Sequence, residues 1–196
     1  ESSEIGGLAH LVNFQGSDTL AALVAARRHY HEPCAAFSIP AAEHSTITAW
    51  GRPQEGEAFA NMLARFAKPG ALLAVVSDSY DVFHAVSELW GEQLRQQVID
   101  SGATVVIRPD SGEPVQVVAE VVERLAAAFG TSVNSKGYRV LNHVRVIQGD
   151  GVNLASIDAI LSRLAKLGYS ADNVAFGMGA ELLQKLDRDT HKMALK

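Results

Sequence analysis

Apolar and polar positions along this chain fall into blocks. Six short apolar runs stand out, at 9–13 (AHLVN), 35–39 (AAFSI), 71–77 (ALLAVVS), 103–107 (ATVVI), 143–148 (HVRVIQ) and 173–176 (NVAF). Each predicts a strand, and each is followed by a segment of helical pattern, at 18–29, 54–67, 80–100, 113–129, 153–167 and 180–187. Within 113–129, Val117, Val118, Val121, Val122 and Leu125 recur with the period of one helix face. Pro114 suits its first turn, Gly130 its end, and Asn153 the N-cap of the next helix. Strand–helix units in series predict a parallel sheet with helices outside. The strands are almost wholly apolar, so both sheet faces are expected to be covered. That leaves an open doubly wound sheet or a closed β/α barrel. The stretch 130–142 (GTSVNSKGYRVLN) predicts a surface loop, and no internal repeat or linker interrupts the alternation.

Composition narrows the classes. The 196 residues suffice for one domain with a sizeable core. Apolar residues at 47% and charged residues at 20% fit a soluble globular protein. A formal net charge of -5 argues against a general nucleic-acid binder. An anionic small substrate stays possible, because clustered arginines and helix N-termini can hold one. The single cysteine, Cys34, excludes an internal disulfide and a cysteine-based metal site. No apolar run approaches the roughly 20 residues of a membrane span, and a cytoplasmic location is expected. The chain begins Glu1-Ser2-Ser3-Glu4, without an initiator methionine or a signal peptide, so it is expected to be a piece of a longer protein.

The chemistry sits just past the apolar runs. After the first come Asn13, Gln15, Gly16 and Asp18; after the second, Glu43, His44 and Ser45; after the third, Asp78, Ser79, Tyr80 and Asp81. The fourth runs into Arg108, Pro109, Asp110 and Ser111, the fifth into Gly149, Asp150 and Gly151, the sixth into Gly177 and Gly179. In parallel α/β architecture these ends share one face, where ligands bind. Each set also has a plain structural reading. Asp18, Asp78 and Asp81 could cap helices, the glycines could make tight turns, and Asp110 could simply partner Arg108. The P-loop, the full dinucleotide fingerprint, the H-E-x-x-H zinc motif and the G-x-S-x-G elbow are all missing. The histidines are scattered, so no metal ligand is assigned.

The blocks "HLVNFQGSDT", "SIPAAEHSTITAWG", "VVSDSYDVF", "VIRPDSGEP", "RVIQGDGV" and "AFGMGAELLQKLDRD" resemble consecutive blocks of the nicotinamide phosphoribosyltransferase family, in family order from about residue 2 to residue 190. The resemblance implies a type II phosphoribosyltransferase fold, an irregular α/β barrel. Residues 1–196 would be its central portion, with the family's N- and C-terminal parts absent. It also implies transfer of a phosphoribosyl group from 5-phosphoribosyl-1-pyrophosphate to nicotinamide, giving nicotinamide mononucleotide and pyrophosphate for NAD biosynthesis. The partners it implies are magnesium bound with pyrophosphate, ATP as a coupled co-substrate, and a second copy of the chain in a homodimer with shared sites.

By similarity, Asp18 would accept from the carboxamide NH2 and repel nicotinate, Arg108 would contact the amide oxygen, and Asp78 and Asp110 would line the ribose and magnesium-pyrophosphate region. Gly149 and Asp150 would hold ribose hydroxyls, Gly179 and Ala180 would offer backbone N–H groups to the 5′-phosphate, and Arg188 would reach the phosphates. His44 would be phosphorylated by ATP, with an acidic neighbour such as Asp78 orienting its ring. Where family members carry three glycines, this chain reads Gly179-Ala180-Glu181, which sets an anion beside the presumed phosphate site. Two alternatives stand beside this reading: a nicotinate phosphoribosyltransferase, and a truncated non-catalytic binding or scaffold homologue.

Overall fold

A parallel four-stranded sheet organises residues 39–177, which form one compact unit in a computed structural model that describes residues 2–179. The strands are β1 (Leu72–Val76), β2 (Thr104–Arg108), β5 (Val144–Gln148) and β6 (Val174–Phe176), in the order β1-β2-β5-β6. Four of the expected strands are therefore present, all parallel. Among the described residues they form one four-stranded parallel sheet with helices packed on it, the α/β arrangement expected from the alternation.

One sheet face carries the core. Leu73, Val75, Val105, Ile107, Val144 and Val146 are fully buried on it. They share a single cluster with Phe59 and Leu63 of α4 (Glu55–Phe66), Val118, Val122 and Leu125 of α7 (Pro114–Phe129), and Ile160 and Leu164 of α8 (Leu154–Lys166). Burying each such side chain stabilises the fold by about 1.5–3 kcal/mol before chain entropy is counted. Helix ends follow local chemistry. Pro114 opens α7 behind Glu113, whose carboxylate accepts from the Val115 and Gln116 amides. Asn153 and Ser156 close a reciprocal capping box at α8.

The expected helix over 80–100 is three pieces. After a short α5 (Val82–His84), residues Ala85–Gln93 wind as a π-helix, and α6 runs from Arg95 to Ser101. Asp81 caps α5 by accepting from the Phe83 and His84 amides, both at 3.0 Å. Gly91 belongs to the wide turn: a methyl there would come within 2.9 Å of the Val86 carbonyl oxygen and 3.1 Å of Ala128. The expected loop over 130–142 is instead an antiparallel hairpin, β3 (Thr131–Val133) with β4 (Arg139–Leu141). Asn134 makes its turn by accepting from the Lys136 and Tyr138 amides.

Two expected strands are absent. The run 35–39 makes only one bridge, Phe37 with Gly16, because Pro33 and Pro40 flank it and break any ladder. The run 9–13 is the end of a helix, α1 (Ser2–Leu11). Short apolar runs carry no periodicity that separates strand from helix, and here helix packing decides. Residues 2–38, with Met178 and Gly179, belong to the second unit. In it, α1 crosses α2 (Leu20–Tyr30) where Gly7 meets Ala22, so closely that a methyl on Gly7 would lie 2.5 Å from the Ala22 Cβ.

Candidate functional site

His44 reaches the sheet through one anchor. The Pro40 carbonyl accepts from the Ala74 amide and the Ala42 amide donates to the Ala74 carbonyl, each at 2.9 Å. Proline has no N–H to extend the pairing, so the chain leaves β1 after one bridge and turns into α3 (His44–Thr48). His44 then stands at the C-terminal end of β1, where its Nε2 lies 3.0 Å from Asp78 Oδ1. The Asp78 side chain is 4% exposed and the His44 side chain 44%. A buried carboxylate thus holds one ring nitrogen while the rest of the imidazole faces outward. Asp78 caps no helix; Asp81 does that.

Arg108 ends β2 beside them. Its Nε and Nη2 donate to the two carboxylate oxygens of Asp110 at 3.1 and 2.8 Å, a side-on bidentate pair. Its Nη1 lies 3.5 Å from Glu43 Oε1. Burial alone would pull the guanidinium pKa down; the hydrogen bond and charge of Asp110, with the charges of Glu43 and Asp78, outweigh it and the net shift is upward. The Nε–Nη2 edge of the guanidinium thus meets Asp110, and its Nη1 faces Glu43. Glu43 was not expected in this role, since only its neighbour His44 carried a reading from the sequence.

Gly149, at the end of β5, makes room for this pair. A Cβ there would lie 3.1 Å from Asp110 Oδ1 and 3.5 Å from Arg108 Nε. The following turn is tied down from inside, as the buried Gln148 donates from Nε2 to the Asp150 carbonyl at 2.7 Å. The Asp150 side chain stays exposed. We predict that Gly149→Ala displaces the ion pair by a few tenths of an ångström. Folding should be retained, with Tm within about 3 °C, while the 15N signal of Arg108 Nε shifts as the pair moves. An unmoved signal would show that the glycine does not set the pair's position.

The structure thus gathers His44, Asp78, Arg108, Asp110 and Gly149 at one end of the sheet, with Glu43 added. Asp18 and Gly179 lie in the other unit. Asp18 is exposed and accepts a hydrogen bond from the Ser38 hydroxyl, and it does not cap α2, whose N-cap is Thr19. Ala180 and Arg188, and the expected helix over 180–187, lie outside the described residues.

A separate cavity of about 480 Å³ is lined by Arg52, Glu55, Tyr80, Asp81, His84 and Gln93 among others. None of His44, Asp78, Arg108 or Asp110 lines it. Glu55 is buried there, and its Oε1 has no hydrogen-bond partner among the described residues. Burial pushes its carboxyl pKa up, against the pull of His84 and Arg52.

A computed likeness joins the chain to a putative nicotinate phosphoribosyltransferase from Saccharomyces cerevisiae, with a TM-score of 0.52 at 14% identity, covering 94% of this chain and 49% of that one. At that identity the likeness is one of fold. In sequence, the chain is 65% identical over 195 residues to a nicotinamide phosphoribosyltransferase of Xanthomonas campestris pv. campestris, covering 100% of this chain and 42% of that protein. It is 35% identical to one of Mycoplasma pneumoniae, covering 93% of this chain and 41% of that protein. The chain therefore spans about two fifths of the length of these curated relatives. The model of the nicotinate phosphoribosyltransferase (NAPRTase) family matches residues 1–196, and the chain belongs to that family.

Proposed function

We propose that the chain is the central part of a nicotinamide phosphoribosyltransferase. The enzyme would transfer the phosphoribosyl group of 5-phosphoribosyl-1-pyrophosphate to nicotinamide, with ATP hydrolysis coupled through a phosphorylated His44. The observation that carries the reading is the half-exposed His44 ring fixed by the buried Asp78 beside the Arg108–Asp110 pair. The relatives' names point the same way.

The chemistry follows from these groups. With Nε2–H donated to Asp78, the lone pair rests on Nδ1, the nitrogen free to take a phosphoryl group from ATP. In the transfer, the bond from the anomeric carbon to pyrophosphate oxygen breaks and a bond to the pyridine nitrogen forms, through an oxocarbenium-like state. Carboxylates from Asp78 and Asp110 suit a developing positive sugar. The same carboxylates, with Glu43, outnumber Arg108 and would repel bare pyrophosphate. Among the described residues no group of three or more His, Cys, Asp or Glu is placed to hold a metal. Asp78 and Asp110 would face magnesium bound with pyrophosphate, which would supply charge neutralisation to the leaving group. A homodimer with shared sites and a cytoplasmic location complete the proposal; among the described residues no helix is long and apolar enough to cross a membrane.

Two measurements test the reading. Calorimetry with 5-phosphoribosyl-1-pyrophosphate and magnesium should give saturable heat, and turnover should favour nicotinamide over nicotinate. Absence of heat at millimolar ligand would establish the scaffold alternative. For specificity, Asp18→Asn removes the charge that repels a substrate carboxylate. The preference for nicotinamide, as a ratio of kcat/KM values, should fall by about tenfold or more. An unchanged ratio would remove Asp18 from the specificity role.

A further inference from the structure

Asp78 and Arg108 must keep a fixed spacing for the site just described, and Ser77 carries the β1–β2 pairing one residue further, between Val76 and Asp78. Ser77 is fully buried between β1 and Asp78. Its amide donates to the Arg108 carbonyl at 2.9 Å, extending the β1–β2 pairing to the level of the charged tips. Its hydroxyl donates to the Val75 carbonyl at 3.0 Å and accepts from Trp90 Nε1 at 3.0 Å. Trp90 is also fully buried and stacks on Phe59, ring centroids 4.7 Å apart with the planes 10° from parallel. A buried indole N–H needs a partner, and here the partner is the residue immediately before Asp78.

Trp90 lies in the π-helix Ala85–Gln93. Such wide turns are rare and occur often at functional sites. This one is built in: the Leu94 amide bonds the Leu89 carbonyl at 2.8 Å, and Gly91 spares the Val86 carbonyl a clash. The indole is thus clamped from three sides, by the π-turn, by Phe59 and by Ser77. None of these residues lines up with the charged groups as a ligand would; their contact with the site runs through the backbone of residues 77 and 108.

We propose that Trp90 and Ser77 are a positioning pair that sets the placement of Asp78, and through it His44, relative to Arg108. Trp90 touches no reacting group and acts only through Ser77. The kinetic part of the proposal rests on the phosphoribosyl-transfer reading; the geometric part stands without it.

The test uses Trp90→Phe, which keeps an aromatic ring against Phe59 and deletes the N–H, together with Ser77→Ala, which deletes the acceptor with little change of volume. The first readout is the 15N signal of the His44 imidazole, which reports its hydrogen bond to Asp78 without any substrate. Both variants should shift that signal, and the double variant should shift it no further than the larger single change. In turnover, both should lower kcat about 10- to 100-fold with KM within about twofold, since alignment rather than binding is lost. An unmoved His44 signal in both folded variants would overturn the proposal. So would single effects that simply add in the double variant, because two partners of one hydrogen bond cannot be lost twice. If the unaltered protein shows no turnover, the functional reading fails and the imidazole signal still decides this one. Should Trp90→Phe not fold, Ser77→Ala alone carries the same two readouts.

Discussion

Replacing Arg108 with leucine should produce the largest combined loss of any single change at the strand ends. Among the described residues the Arg108 guanidinium is the arginine or lysine cation paired with Asp110 and Glu43, and the carboxylates of Asp110 and Asp78 are 15% and 4% exposed. Removing it leaves the nearly buried Asp110 without its bidentate partner, while Asp78 keeps its contact with His44. Breaking one partner of a buried pair costs about 3–5 kcal/mol. The Arg108 side chain is itself a quarter exposed, so we expect about 2 kcal/mol, a fall in Tm of about 4–8 °C, read by thermal denaturation. Turnover should fall by about 1000-fold, an oxyanion-hole-sized loss of electrostatic alignment. The double variant Arg108→Leu, Asp110→Leu separates the two effects. Replacing both partners of a pair by apolar groups is close to neutral, so most of the Tm should return. Activity should not return, because the charges proposed to face the sugar and pyrophosphate are gone. Recovery of turnover in the double variant would show that the pair serves the fold alone.

What could be read in advance, and what could not, follows from the range of the interactions. β1, β2, β5 and β6 are apolar runs that end in Pro, Gly or Asp, and such local signals survive in the fold. The caps at Asp81 and Asn153 are equally local, since each carboxylate or amide bonds backbone two or three residues on. The pair Arg108–Asp110 spans two positions and was open to inspection for the same reason. Residues 9–13 were misread because the letters of a strand and of a helix end are the same at that length. The π-turn was invisible: nothing in AVSELWGEQ departs from an ordinary helical pattern, and its cause is the packing of Trp90 and Gly91. Asp78 was ambiguous between a cap and a ligand until β1 placed it against His44, and Glu43 found Arg108 across a separation no motif spans. That the ends of β1, β2 and β5 share one side of the sheet followed from the parallel alternation; the runs 9–13 and 35–39, which are not strands, fall outside that pattern. The partners each charge chose at those ends did not follow from it, because they depend on side-chain direction at the level of an ångström.

His44→Ala should abolish, and Asp78→Asn should strongly reduce, the label taken up from [γ-32P]ATP. The expected label is lost in acid and kept in base, the behaviour of a phosphoramidate on imidazole. Alanine removes the acceptor, so no label should remain. Asparagine tests the finer point. It keeps the shape of Asp78 but not its charge, and its amide can face His44 with either its oxygen or its NH2. If the NH2 turns to Nε2, the ring must carry its proton on Nδ1, and the lone pair that would attack phosphorus is lost. If the oxygen stays, the positive charge that the ring gains as Nδ1 bonds phosphorus and ADP departs loses its counter-ion. Either way the rate of labelling should drop by about 100-fold, within the range for a positioned acid–base group. Binding of 5-phosphoribosyl-1-pyrophosphate should change little in His44→Ala, since the imidazole is half exposed and makes one hydrogen bond. Labelling of Asp78→Asn at the unaltered rate would mean that Asp78 merely satisfies a buried ring nitrogen. Label persisting in His44→Ala would place the phosphoryl acceptor elsewhere and remove the observation on which the ATP-coupled reading stands.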